Sequence, residues 1–270
     1  MTTLKTADLK NFLDEKYDKY NQTSFIEFDP ISIPHQFTKK EDIEIAGFLA
    51  ATIAWGQRIT IINNANKLMK LMGNNPHEFI LNAKPKDIKR FENFKHRTFN
   101  GIDAVFFIQS LQNIYKQHNG LQGAFALDSK LNSQQSLLNA IIHFRSVFFS
   151  IPYPHRTGKH VSNPAENSSA KRLCMYLRWM IRNDKRGVDF GLWSAKVNSK
   201  KQAVLPLSSL LMCPLDVHSG NVARKLGLLQ RTQNDWKAVE ELTNNLRLFD
   251  ATDPVKYDFA LFGLGAFEKF

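Results

Sequence analysis

Apolar residues recur at helical spacing along most of the chain, and strand-like alternation is scarce. After Thr38, the segment 39–55 sets Ile45, Phe48, Leu49, Thr52 and Ile53 on one helical face, and Gly56 interrupts it. A second helix is predicted over about 60–72, with Ile61, Ala65, Leu68 and Met72 on one side and Gly73-Asn74-Asn75-Pro76 as the stop. Further helices are predicted near 76–82, 86–92, 101–118 and 134–149. Lys171 opens a run in which Leu173, Tyr176, Leu177, Met180 and Ile181 keep helical spacing, with Arg172, Arg178 and Arg182 largely on the opposite side. The segment 188–211 is irregular, with a short apolar stretch at 203–207. Asp216 then stands where an N-cap belongs, ahead of a helix over 217–226 that Gly227 closes. Two last helices are predicted at 234–247 and 253–265, and the expected class is all-α.

Composition is that of an ordinary globular protein, with 43% hydrophobic and 23% charged residues. The 21 phenylalanines supply bulk for a core. No run of eighteen apolar residues exists and 1–21 is charged throughout, so neither a membrane span nor a secretory signal is expected. Cys174 and Cys213 have apolar surroundings and no C-x-x-C spacing, which suggests neither a disulfide framework nor a zinc site. A reducing, cytoplasmic setting is expected. No internal repeat or low-complexity linker divides the chain.

Charge changes the picture. The net charge is +11, and between His155 and Arg231 fourteen Lys and Arg face four acids, Glu166, Asp184, Asp189 and Asp216. A surplus so concentrated suits a polyanion such as nucleic acid, which binds with counterion release. A solvated basic surface without a partner would carry the same composition. His155, His160 and His218 lack the further partners that a metal site requires, and no metal or cofactor is expected. Acyl-transfer, NTPase and dinucleotide motifs are absent.

Two separate stretches resemble one known superfamily. Pro214-Leu215-Asp216-Val217-His218, followed by Val222-Ala223-Arg224-Lys225-Leu226-Gly227-Leu228, is similar to the aspartate-capped helix of helix-hairpin-helix DNA glycosylases such as endonuclease III. Upstream, Phe48 to Gln57 resembles the helix–Gln–helix corner of the same proteins, and Tyr257 to Gly265 resembles the helix packed behind their site. Ser169-Ala170-Lys171-Arg172-Leu173, Leu177-Arg178-Trp179-Met180 and Gly187 to Trp193 resemble, nearly end to end, an uncharacterised bacterial family of that superfamily. The sequence departs from the superfamily in the stretch before Lys171, Pro164 to Ala170, which has no glycine where a Leu-Pro-Gly-x-Gly hairpin stands in glycosylases. Asn167 tolerates the left-handed backbone that a hairpin needs, and Ser168 and Ser169 can donate to phosphate. The 45 residues from Lys171 to Asp216 are about twice the usual interval, which makes 187–211 an insertion of a kind also found in archaeal 8-oxoguanine glycosylases.

The resemblance implies one glycosylase-like unit over 1–270 with two helical lobes and a central cleft. The lobes would be 39–150 and 151–233, the latter holding the hairpin and catalytic region, with 1–38 and 234–270 packing together. It also implies a DNA repair glycosylase with AP lyase activity, acting as a monomer on damaged double-stranded DNA, without an iron–sulfur cluster. Asp216 would stabilise positive charge at C1′, and Lys171 would attack that carbon. The amine must be neutral to attack, so it has to be desolvated or stand near another cation, and Arg172 is its neighbour. Gln57, Lys159, His160, Ser168, Ser169, Arg172, Arg178 and His218 would contact DNA, and Trp55, Trp179 and Trp193 would line the pocket for a flipped base. For each tryptophan the alternative is an ordinary place in the core. Two other functions compete with catalysis: a non-catalytic nucleic-acid-binding protein that retains the fold, and an RNA-directed protein.

Overall fold

The computed structural model describes residues 6–126, 134–194 and 206–270. Its helices are α1 (Thr6–Tyr20), α2 (Lys40–Thr52), α3 (Arg58–Leu71), α4 (Pro76–Asn82), α5 (Pro85–Ile88), α6 (Gly101–Gln117), α7 (Gly120–Ala124), α8 (Gln134–Phe148), α9 (Lys171–Ile181), α10 (Val217–Lys225), α11 (Trp236–Arg247) and α12 (Asp258–Ala266). One two-residue hairpin, β1 (Lys95–His96) with β2 (Phe99–Asn100), is the only sheet among the described residues. The fold is mostly helical, as the spacing of apolar residues predicts. Among the described residues no helix is long and apolar enough to cross a membrane.

Element ends follow local chemistry. α3 stops at Gly73, whose φ of +68° suits glycine, and Pro76 starts α4 at once. Asn100 accepts from the backbone of Ile102 while Asp103 reaches back to the Asn100 N–H, a capping box that opens α6. The expected last helix is divided: a 3-10 turn over Pro254–Tyr257 precedes α12. The β1–β2 hairpin, α7 and α1 were not predicted. The apolar stretch at 203–207 lies largely outside the described residues.

The chain forms two compact units. The first comprises the described parts of Met1–Phe25, Ser129–Leu138 and Asn163–Phe270, and the second those of Ile26–Asp128 and Asn139–Ser162. The second unit has an aromatic core in which Phe48, Phe99, Phe106, Phe107, Phe144 and Phe148 pack with centroid separations of 4.8–5.9 Å. In the first unit α12 packs against α1 and α10. Gly263 permits the first of these contacts, because a Cβ there would overlap the Tyr20 ring.

α9 departs from the amphipathic reading. Every residue from Leu173 to Ile181 is buried, and Arg178 and Arg182 are only 4% and 1% exposed. Acids from distant segments compensate them. Arg182 donates Nη1 to Asp189 Oδ2 (2.9 Å), Nε to Asp253 (2.9 and 3.0 Å) and Nη2 to the Tyr17 hydroxyl (3.1 Å). Asp184 accepts from the backbone N–H groups of Arg186, Gly187, Val188 and Asp189 at 2.9–3.3 Å, which folds the loop that delivers Asp189. Phe190 and Trp193 donate their backbone N–H groups to the carbonyls of Trp179 and Met180 (2.8 and 2.9 Å), satisfying the open end of α9. The described loop after α9, through Trp193, is thus the C-terminal cover of that helix.

Replacing Gly263 with Ala forces α12 away from α1. We expect a loss of about 1–3 kcal/mol in unfolding free energy, measured by urea denaturation; an unchanged midpoint would contradict the close approach.

Candidate functional site

Lys171 and Asp216, 45 residues apart, meet in the first unit: Lys171 Nζ lies 3.3 Å from Asp216 Oδ2. Both side chains keep partial exposure, 27% and 24%. Lys171 is the first residue of α9 and Asp216 the N-cap of α10, so two helix N-termini converge on the pair. One bond joins the turns that lead into them: Ser169 Oγ donates to the Leu215 carbonyl at 3.3 Å.

Asp216 is held on several sides. Its Oδ1 accepts from the Ser219 N–H (3.0 Å), and Ser219 Oγ accepts in return from the Asp216 N–H (3.0 Å). Asn234 Nδ2 donates to the Asp216 carbonyl (3.1 Å), and Arg224 Nη2 donates to Asn234 Oδ1 (2.7 Å). Oδ1 is therefore committed to the helix, while Oδ2 faces the amine. Burial pushes the Asp216 carboxyl up, but Lys171 and the Ser219 bonds outweigh it and hold the carboxyl below its ordinary value. Asp216 is both N-cap and partner of Lys171.

The turn before α9 takes the left-handed backbone twice without glycine. Asn167 (φ +62°) and Ala170 (φ +46°) are both left-handed, and Ser168 Oγ accepts from the Ala170 N–H at 3.2 Å. Asparagine adopts this conformation readily; Ala170 adopts it against its Cβ, at a cost of roughly 1–2 kcal/mol.

The remaining candidates divide between the units. Ser168, Ser169 and Arg172, all half-buried, and the exposed His218 accompany the pair in the first. Burial pulls the Arg172 guanidinium down to about 10. Arg178 was expected at DNA, but it lies inside, donating Nε to Asp189 Oδ1 (3.3 Å) and Nη1 to Asp258 Oδ2. Trp179 and Trp193 were expected in a base pocket; they are 0% and 2% exposed and belong to the core. Trp55, Gln57, Lys159 and His160 belong to the second unit, where Gln57 and Lys159 are exposed. His160, also expected at DNA, is buried, stacked on the half-buried Trp55 (5.9 Å) and 3.3 Å from Asp103. Arg156 is drawn to Asp103 and Asn100 (2.6 Å each), and Thr157 donates to Asp103 (2.8 Å).

Trp55 is fixed by its corner. Asn64 Nδ2 donates to His96 Nδ1 (3.0 Å), which leaves the imidazole proton on Nε2 to donate to the Trp55 carbonyl (3.1 Å). Burial lowers the His96 pKa, in keeping with a neutral ring. Gly56, at φ +106°, turns the chain toward Gln57.

Burial pushes the Cys174 thiol up to about 12, and Cys213 rises as well, so both are protonated core groups. Among the described residues no group of three or more His, Cys, Asp or Glu could hold a metal ion. Sequence reasoning missed Ser219, although Asp216 and Ser219 have capping-box spacing. It also missed Asp258, which lies 80 residues from Arg178 and has no local signal of that pairing.

The family described as a protein of unknown function (DUF2400) matches residues 29–267. The chain belongs to that family. The match covers the whole stretch from before α2 to the end of α12, including both members of the Lys171–Asp216 pair. No curated protein and no solved structure matches this DUF2400 chain.

The pair makes two predictions. Ser219→Ala should cost about 1 kcal/mol, the worth of an N-terminal cap, read by urea denaturation. A folded-state carboxyl below its unfolded value adds stability that is present above about pH 4 and lost as pH falls through the lowered value. The difference in thermal midpoint between wild type and Asp216→Asn should therefore shrink below pH 4; a difference that grows on acidification would contradict the pairing.

Proposed function

We propose that this protein is a DNA glycosylase with AP lyase activity, built on a helix-hairpin-helix fold and acting on an oxidised purine such as 8-oxoguanine in duplex DNA. The observation that carries the reading is the 3.3 Å approach of the Lys171 amine to the Asp216 carboxylate at two converging helix N-termini. An amine nucleophile beside an ionised carboxylate suits cleavage of an N-glycosidic bond by way of a Schiff base. Asp216 stabilises positive charge at C1′ as the bond to the base lengthens. The lone pair of the neutral amine then forms the bond to C1′, and the electrons of the C1′–N bond leave with the base, which takes up a proton. Ring opening to the imine and β-elimination of the 3′-phosphate follow without an oxidant or reductant.

Exposed His218 is the proposed DNA contact beside the pair, with half-buried Ser168, Ser169 and Arg172 in and after the turn that leads into α9. Arg178 and His160 act from the interior in this reading, as supports.

A non-catalytic nucleic-acid-binding module is the second reading. It is favoured by Ala170, a left-handed residue with a Cβ at the hairpin position where bare glycine backbone would approach phosphate.

Borohydride trapping on duplexes carrying an abasic site, 8-oxoguanine or uracil separates the two. We expect a covalent adduct with the wild-type protein that is absent with Lys171→Ala. Asp216→Asn should release base about 10²–10³-fold more slowly, the size of losing one electrostatic stabiliser. A wild-type protein that forms no adduct and releases no base from any of these duplexes, while binding them in a salt-sensitive way, overturns catalysis in favour of the module.

A further inference from the structure

Residues 134–165 include no acid, yet they carry Arg145, Arg156, Lys159 and three histidines. From Asn139 to Ser162 this stretch belongs to the second unit, where it forms most of α8 and a 3-10 turn over His155–His160. Asp103 on α6 answers part of the charge, taking Arg156 (2.6 Å) and facing His160 (3.3 Å). Among the described residues no carboxylate forms an ion pair with Arg145, His155 or Lys159.

Arg145 is stacked instead of paired. Its guanidinium carbon lies 4.8 Å from the centroid of the Phe149 ring, and its buried Nε has no hydrogen-bond partner among the described residues. Nη2 lies 3.7 Å from where a Cβ on Gly158 would stand, which brings the guanidinium beside the turn that carries Lys159. The same Phe149 ring meets Tyr153 at 4.5 Å and stacks parallel on Phe106 at 5.6 Å. Phe149 is half-buried, whereas Tyr153 is 42% exposed. Exposed Pro152 and Pro154 flank Tyr153, and Pro154 has a φ of −67°. A residue before proline is confined to extended backbone, so the Tyr153 ring is displayed on a stiff turn and loses little freedom on binding.

Each group asks for a different part of one ligand. An exposed ring supported from behind offers a π face to another flat ring. A guanidinium and an ammonium without acidic partners call for an anion, and a guanidinium matches phosphate oxygens in pairs. Flat ring and phosphate together make a nucleotide. In a duplex the bases are stacked on one another, so the strand that can use Tyr153 is one with unpaired bases. An acidic peptide would use the cations and leave the ring idle.

We infer that Tyr153, Arg145 and Lys159 form a binding surface for single-stranded nucleic acid, with a base stacked on the Tyr153 ring and backbone phosphates against the two cations. The surface lies within the second unit and does not depend on the reading of Lys171 and Asp216. DNA and RNA strands share the groups it recognises.

The test is fluorescence anisotropy of labelled oligo-dT and oligo-U with the full chain, over about 50–200 mM salt. Tyr153→Ala should weaken binding about tenfold, the effect of losing one base–aromatic stack, and Tyr153→Phe should restore it. Lys159→Gln and Arg145→Gln should each lower the slope of log K against log salt by about 0.7. On a base-free sugar-phosphate oligomer the effect of Tyr153→Ala should vanish and that of Lys159→Gln should persist. Tyr153 and Lys159 are exposed, so their variants answer even if Arg145→Gln fails to fold. Binding of either oligomer in this pattern supports the surface, and the tighter one tells DNA from RNA. A wild-type protein that binds neither strand, or one whose binding is unmoved by Tyr153→Ala and Lys159→Gln, overturns the inference. So does oligo-glutamate that competes as well as unlabelled oligo-dT, which would mark a surface for acidic protein.

Discussion

The first unit depends on the neutralisation of two arginines inside it. Arg178 and Arg182 project from α9 into the interior, where an unpaired guanidinium would be costly by several kcal/mol. Asp189 comes to them from the loop after α9, and Asp253 and Asp258 from the two ends of the 3-10 turn that leads into α12. Each ion pair is thus a tertiary restraint. Together they fix the loop after α9, the start of α12 and, through Tyr17, α1 around one axis. A hydrophobic core would tolerate sliding of α9; directional hydrogen bonds to three carboxylates do not.

That axis ends at Lys171. With α9 held along its length, the position of the amine is set by the left-handed turn at Asn167 and Ala170 and by the Ser169–Leu215 bond. Asp216 meets it from the other helix with one oxygen already used by Ser219. The division of labour between the two carboxylate oxygens lets one residue cap a helix and still face a cation. The arginine cluster leaves the charge balance of the basic stretch between His155 and Arg231 intact. Two of its fourteen cations, Arg178 and Arg182, lie in the interior, but so do two of its four acids, Asp184 and Asp189, so burial removes as many acids as cations.

In the second unit the same economy applies to aromatic residues. Phenylalanines from α2, α6 and α8 fill the core, and polar side chains are admitted where they fix a corner. His96 secures the Trp55 carbonyl, and His160 covers the Trp55 ring while facing Asp103. Asp103 itself caps α6 and gathers Arg156 and Thr157. His96, His160 and Arg156 are taken up in building this corner, while Gln57, Arg97, His155 and Lys159 face solvent.

By itself the sequence determined most of the helices, though not α1 or α7, since apolar spacing, glycine at left-handed stops and Asp or Asn at caps act within a few residues. It also made Lys171 and Asp216 stand out, one opening a helix and the other capping one. It did not reveal which charged residues face inward, because the partner that makes burial affordable for Arg178 lies 80 residues away, and for Arg182 as far as 165. Nor could spacing tell Trp179 and Trp193 from pocket residues, since an aromatic at helical spacing reads alike in either place. The 3.3 Å meeting of Lys171 with Asp216 was likewise decided only in three dimensions. It depends on two turns brought together by a side-chain bond between them, and such long-range closure leaves no periodic trace in the chain.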